Sequence, residues 1–76
     1  MGPEHARMAL RDQLESLVEE LVARGVSFED ARRELEKTFI SRTLTTVDGN
    51  LCQAADRLGM HRNTLSRKVT EYRLRR

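Results

Sequence analysis

This 76-residue chain predicts an all-α fold of four helices, on three observations. Apolar residues recur at spacings of three and four, the period that builds one buried face on a helix. Strand-like alternation and β-branched runs are scarce. The single proline stands at position 3, so nothing after it removes a backbone donor from a helix.

The first helix is expected from about Ala9 to Arg24. Leu10, Leu14, Leu17, Val18, Leu21 and Val22 form its apolar stripe, and Gly25 follows where a left-handed C-terminal cap is needed. The second starts at Ser27, where "SFED" sets a hydroxyl at the N-cap and Asp30 three residues on, a variant of the capping box. Glu29 and Asp30 also fall in the first turn, where the helix dipole favours negative charge. Phe28, Ala31, Leu35, Phe39 and Ile40 carry the apolar series on to Leu44, and "VDGN" ends it with Gly49 as the stop. The third helix is short: Asn50 is its N-cap, "LCQAADRL" its body and Gly59 its end. The fourth begins near His61 or Arg62 and runs to about Tyr72, with "RLRR" as a fraying tail.

So small a chain sits near the size where one core is only marginally sufficient, and disulfides, a metal or a partner subunit then make up the deficit. One cysteine, Cys52, makes no intrachain bridge, and it favours a reducing, cytosolic setting. Cys52, His5 and His61 are the only soft ligands and lack a zinc-type spacing, so no metal and no cofactor is expected. Oligomerisation remains. No apolar run approaches the ~20 residues that cross a bilayer. The polar face of the first helix is mainly acidic (Asp12, Glu15, Glu19, Glu20), the wrong sign for anionic lipid, so no membrane partner is expected. "MGPEHARMAL" lacks the apolar core of a signal peptide, and Met1-Gly2-Pro3 is given no function.

The net charge of +2 hides a division. Residues 1–48 hold seven Lys/Arg against ten Asp/Glu, and residues 49–76 hold seven against two. The basic C-terminal part points to an anionic partner, nucleic acid above all.

Only about three residues around Gly59 join the third and fourth helices, which turns one sharply against the other in helix-turn-helix geometry. Ala54 and Ala55 let the two cross closely. Leu51, Leu58, Met60, Leu65, Val69 and Tyr72 are expected to fill the core between them and the end of the second helix. At ~100° per residue, Leu65, Val69 and Tyr72 share the inward face of the fourth helix. The opposite arc holds Asn63, Arg67 and Thr70, flanked by Thr64, Ser66 and Glu71, with Arg62 at the helix start. Arginine can make two hydrogen bonds to a guanine edge, and asparagine can do so to an adenine edge. Thr64 and Ser66 suit phosphates or bases, Lys68 suits phosphate, and Arg73, Arg75 and Arg76 extend the positive stripe. His61 is read as a helix-start residue within reach of a phosphate. The start of the third helix is a second anion site, where Asn50 and Gln53 can add side-chain donors to the backbone N–H groups.

The segment from Gly49 to Tyr72 resembles the Fis-type helix-turn-helix of the Fis proteins and of the C-terminus of NtrC-class transcriptional activators. Gly49-Asn50, Ala54-Ala55, Leu58-Gly59, Arg62, Thr64-Leu65, Arg67-Lys68 and Tyr72 match in register, and "ALRDQLESLV" is similar to the start of that fold's first long helix. The resemblance implies a homodimer with an intertwined four-helix core, and DNA binding and bending by paired fourth helices. It places Asn50, Arg62, Asn63, Thr64, Arg67 and Lys68 at or beside DNA-contacting positions. The chain departs from the family's Tyr-Gly-Leu ending, since Arg73 follows Tyr72. Nothing before Leu10 matches the β-hairpin arm of longer Fis proteins, so recombinase stimulation is not implied. No ATPase domain is present, so the chain reads as an excised DNA-binding domain or a stand-alone Fis-like protein.

The expected organisation is a disordered or vector-derived tail at 1–8, a two-helix dimerisation region at 9–48 and a helix-turn-helix DNA-binding region at 49–76. Leu10, Leu14, Leu17, Val18, Leu21, Phe28, Leu35 and Phe39 are assigned to dimerisation. The expected function is that of a bacterial transcription regulator, or its DNA-binding domain, working in the cytoplasm on the nucleoid. Its partners are double-stranded DNA and a second copy of itself. A small-molecule substrate and catalysis are not expected, for no nucleophile-base pair or phosphate loop stands out. Cys52 is read as an inert, partly buried thiol rather than a redox switch. The rival reading is a helical protein-interaction module that docks an acidic partner through the same basic face.

Overall fold

The computed structural model describes residues 3–74, with side chains from Ala9 onward. Met1, Gly2 and the stripe residues Arg75 and Arg76 lie outside the described residues. Four helices follow in order: α1 Pro3–Ala23, α2 Phe28–Thr46, α3 Leu51–Leu58 and α4 Arg62–Glu71. Among the described residues there is no strand, so the all-α reading holds. Residues 3–8, expected as tail, are helical and lengthen α1 at its start. Pro3 fits there because its missing N–H is one that a first helical turn leaves unpaired anyway.

The chain divides into two units, residues 1–31 and 32–76, and the boundary falls inside α2. Among the described side chains, the first unit holds none of the buried ones. Leu10, Leu14, Leu17, Val18 and Val22 are exposed on α1, and Leu21 is half-buried. Gly25, at φ +75°, closes α1 with two hydrogen bonds: its own N–H to Val22 O at 3.1 Å and the Val26 N–H to Leu21 O at 3.0 Å. Ser27 caps α2 as its sequence requires, its Oγ accepting from the Asp30 N–H at 3.1 Å.

The second unit owns the core: Ile40, Leu44 and Val47 from α2 and its end, Ala54 and Ala55 from α3, and Leu65 and Val69 from α4. Leu51, Leu58, Met60, Tyr72 and Leu74 are partly buried around it. Ala54 is 0% and Ala55 4% exposed, so the paired alanines do sit where the helices meet. α2 carries two apolar faces. Ile40 and Leu44 look into this core, while Leu35 and Phe39 remain 58% and 60% exposed. On a helical wheel Phe28, Leu35 and Phe39 fall within about 40° of one another and about 100° or more from Ile40.

The remaining helices end in the same way as α1. A left-handed residue lets two N–H groups turn back onto the last carbonyls. After α2 that residue is Asp48 at φ 53°, with Gly49 at φ 80° behind it. After α3 it is Gly59 at φ 70°, and the Met60 N–H reaches Ala55 O at 3.1 Å. After α4 it is Arg73 at φ 57°, standing where the family's glycine would be, and the Leu74 N–H reaches Val69 O at 2.9 Å. The closing turn thus survives without glycine, and Leu74 packs against the core to secure it. A side chain in this conformation costs about 1–2 kcal/mol, partly offset by the larger unfolded-state entropy of glycine. Arg73→Gly is therefore expected to stabilise the protein by about 0.5–1 kcal/mol, read as a higher thermal midpoint.

Candidate nucleic-acid interface

The interface is built from the start of α3, the turn after it, and α4. Asn50 adopts extended backbone and its Oδ1 accepts from the Gln53 N–H at 3.1 Å, satisfying one N–H of the first turn. The Asn50 amide keeps its own N–H donors for an outside acceptor. Gln53 and Cys52 are exposed beside it.

Gly59 turns the chain, and His61 caps α4 by accepting the Asn63 N–H on Nδ1 at 3.0 Å. Acceptance requires that Nδ1 be unprotonated, so the neutral ring carries its proton on Nε2. The exposed His61 therefore presents an N–H donor at the helix start.

On α4, Leu65 at 0% and Val69 at 3% exposure hold the helix down. Arg62, Asn63, Arg67, Thr70 and Glu71 are exposed, while Thr64 and Ser66 are half-buried. Asn63, Ser66, Arg67, Thr70 and Glu71 line one shallow concavity along the helix. Neither Arg62 nor Arg67 is in an ion pair with a described residue. Their guanidinium groups are fully available to an anion. Glu71, placed by sequence only on the flank, lines the same concavity and interrupts its positive character. Arg73 is exposed beyond the helix, displaced from the α4 register by its left-handed turn.

Lys68, expected to suit a phosphate, is engaged by an acid of α2. Its Nζ donates to Glu36 Oε1 at 2.8 Å, and only 23% of its side chain is exposed. The Tyr72 hydroxyl donates to the same oxygen at 2.6 Å, and Arg32 donates to Oε2 at 3.3 Å. Arg33 lies over the Tyr72 ring at 5.9 Å from its centre. Glu36 is not among the residues that the amino-acid sequence singles out. The signal is its place one turn before Ile40, on the flank of the buried face.

These contacts shift two titrations. The hydrogen bond from Lys68, then that from Tyr72, holds the Glu36 carboxyl below its ordinary 4.5. Accepting from Tyr72, the Glu36 carboxylate pushes the phenol above its ordinary 10.0. A depressed carboxyl adds stability that is complete above its unfolded value and is lost as the pH falls through the folded one. A raised phenol adds stability that is complete below its unfolded value and is lost as the pH rises through the folded one. The stability advantage of the parent over Glu36→Gln is thus expected to be level near neutrality. It should shrink below about 4.5 and again above about 10 in melts across pH.

Among the described residues no group of His, Cys, Asp and Glu could hold a metal ion, and no helix is long and apolar enough to cross a membrane. No curated protein and no solved structure matches the chain. A family model does match, that of the bacterial regulatory proteins of the Fis family, over residues 31–72. That span is more than half of the chain and, among the described residues, holds every buried one, the Gly59 turn, and the Glu36, Lys68 and Tyr72 contacts. The chain belongs to the Fis family of bacterial regulatory proteins, and the helices of its second unit form a DNA-binding helix-turn-helix.

Proposed function

We propose that the protein binds double-stranded DNA as a homodimer, with sequence preference, and regulates bacterial transcription while bending the duplex. The observation that carries this is the α4 surface itself. Arg62, Asn63, Arg67 and Thr70 stand exposed on a helix whose other face is locked by Leu65 and Val69. In the major groove Arg67 and Asn63 suit base edges, and Arg62, Thr64, Ser66, His61 and Arg73 suit phosphates or neighbouring bases. Asn50, Gln53 and the start of α3 suit the backbone of the same duplex. Lys68 stands outside this set because its charge is already matched by Glu36. Such a partner places the protein in the cytoplasm, on the nucleoid.

The dimer rests on exposed apolar surface. Leu10, Leu14, Leu17, Val18, Phe28, Leu35 and Phe39 are all exposed, and Phe28 reaches 83%. Burying side chains of this kind is worth roughly 1.5–3 kcal/mol each, which a second copy can supply. The parent is expected to sediment as a dimer at micromolar concentration, and Leu14→Glu with Phe39→Glu is expected to shift it to monomer. A parent that stays monomeric at high micromolar concentration would remove the dimer.

The DNA reading is tested by gel shifts with random duplex over a salt series. Binding that falls steeply with salt is expected, because each neutralised phosphate releases condensed counterions. A circularly permuted set of duplexes then reports bending through position-dependent mobility. Absence of any shift at low salt would favour instead the docking of an acidic protein on the same basic face.

A further inference from the structure

Lys68 lies on α4, yet its charge is spent on α2. One carboxylate oxygen, Glu36 Oε1, accepts from both Lys68 Nζ and the Tyr72 hydroxyl, at 2.8 and 2.6 Å. Lys68 and Tyr72 are one helical turn apart, so Glu36 holds α4 at two levels. Arg32 on Oε2 and Arg33 over the Tyr72 ring steady the arrangement from the α2 side. The apolar contacts of Leu65 and Val69 are non-directional and tolerate a small rotation of the helix about its axis. Hydrogen bonds to a fixed oxygen are directional and resist it. Rotation matters here because Asn63 and Arg67 project from the opposite side of the same helix.

We propose that Glu36 is a specificity-determining residue, which sets the rotation of α4 and keeps Lys68 off the DNA phosphates. The inference rests on the reading of α4 as the DNA-facing helix. An unmatched Lys68 would add a sequence-independent attraction to every duplex. It would strengthen right and wrong sites alike, while a loosened α4 would read the right one less well. With Lys68 matched by Glu36, contact is left to Arg62 and Arg67, which no described acid neutralises.

Glu36→Gln removes the charge and keeps the size and an acceptor. In filter binding to random duplex its affinity at low salt is expected to exceed the parent's. The slope of log K against log salt should steepen by about 0.9 for each bound subunit, or about 3.5-fold more affinity lost over a fourfold rise in salt. Selection from a random duplex pool should enrich its preferred sequences less sharply than the parent does. Adding Lys68→Gln to Glu36→Gln should return the slope to the parent's value. An unchanged or shallower slope for Glu36→Gln overturns the inference, because a merely supporting role would weaken binding without adding a phosphate contact. Should Glu36→Gln fail to fold, Lys68→Met alone decides. A slope equal to the parent's supports the inference, and a slope shallower by about 0.9 shows Lys68 already on phosphate and overturns it. A parent that binds no duplex overturns both the inference and the DNA reading, which separates that outcome from the others.

Discussion

Arg67→Ala is expected to weaken duplex binding by about 5- to 150-fold while leaving the thermal midpoint unchanged; this is the largest functional effect expected, and it follows from about 1–3 kcal/mol for a bidentate base contact. Arg67 is exposed, lines the α4 concavity and is in no ion pair with a described residue, so truncating it removes reach without opening the core. Arg62→Ala is expected to act in the same direction, with a shallower salt dependence if its partner is a phosphate. Arg24→Ala is the control. That arginine, just past the end of α1, pairs with Glu20 at 2.7 Å on exposed surface, and its loss should alter neither binding nor fold. If Arg62→Ala and Arg67→Ala both hold duplex as well as the parent at moderate salt, the assignment of this face to DNA is wrong.

Leu65→Ala should have the largest effect on stability. Leu65 is 0% exposed and sits with Ile40, Leu44, Ala54, Ala55 and Val69 in a core of few residues. Leucine-to-alanine changes at such sites cost about 2.7–5 kcal/mol, from lost transfer energy and the cavity left behind. A domain of this size holds roughly 4–11 kcal/mol in total, so about a quarter of its stability or more is at stake. A urea titration followed by circular dichroism should show the midpoint fall accordingly, with DNA binding lost in parallel. Leu14→Ala offers the contrast. Leu14 is 56% exposed in the single chain, so on the proposed dimer its cost should appear in the association equilibrium and depend on protein concentration. A loss below about 1 kcal/mol for Leu65→Ala would mean that α4 is not anchored as described.

Much of the site is legible in the amino-acid sequence because it is local. Asn50 and Ser27 cap the helices that follow them, and Gly25 and Gly59 adopt the left-handed turns their positions demand. The face of α4 is also local, since a period of 3.6 residues separates Leu65 and Val69 from Asn63 and Arg67 without knowledge of what covers either. His61 stands at the start of α4, as its position beside the Gly59 turn implies. That its Nδ1 is the acceptor, leaving Nε2–H outward, is a matter of side-chain rotation that no spacing encodes.

The amino-acid sequence by itself determined the four helices, the caps at Ser27 and Asn50, the turns at Gly25 and Gly59 and the separation of holding from reaching residues on α4. Each of these depends on neighbours within about one or two turns, which a pattern records. Tertiary structure alone decided three other things. It divided the apolar residues of α2 between the Ile40 and Leu44 face, which is buried, and the Leu35 and Phe39 face, which is exposed. It let Arg73 keep a glycine's conformation by packing Leu74 behind it. And it joined Lys68 to Glu36 across 32 residues of chain, tying α4 to α2 through one carboxylate oxygen. Such outcomes depend on which surface a neighbouring helix covers and which charge it brings, and periodicity carries neither.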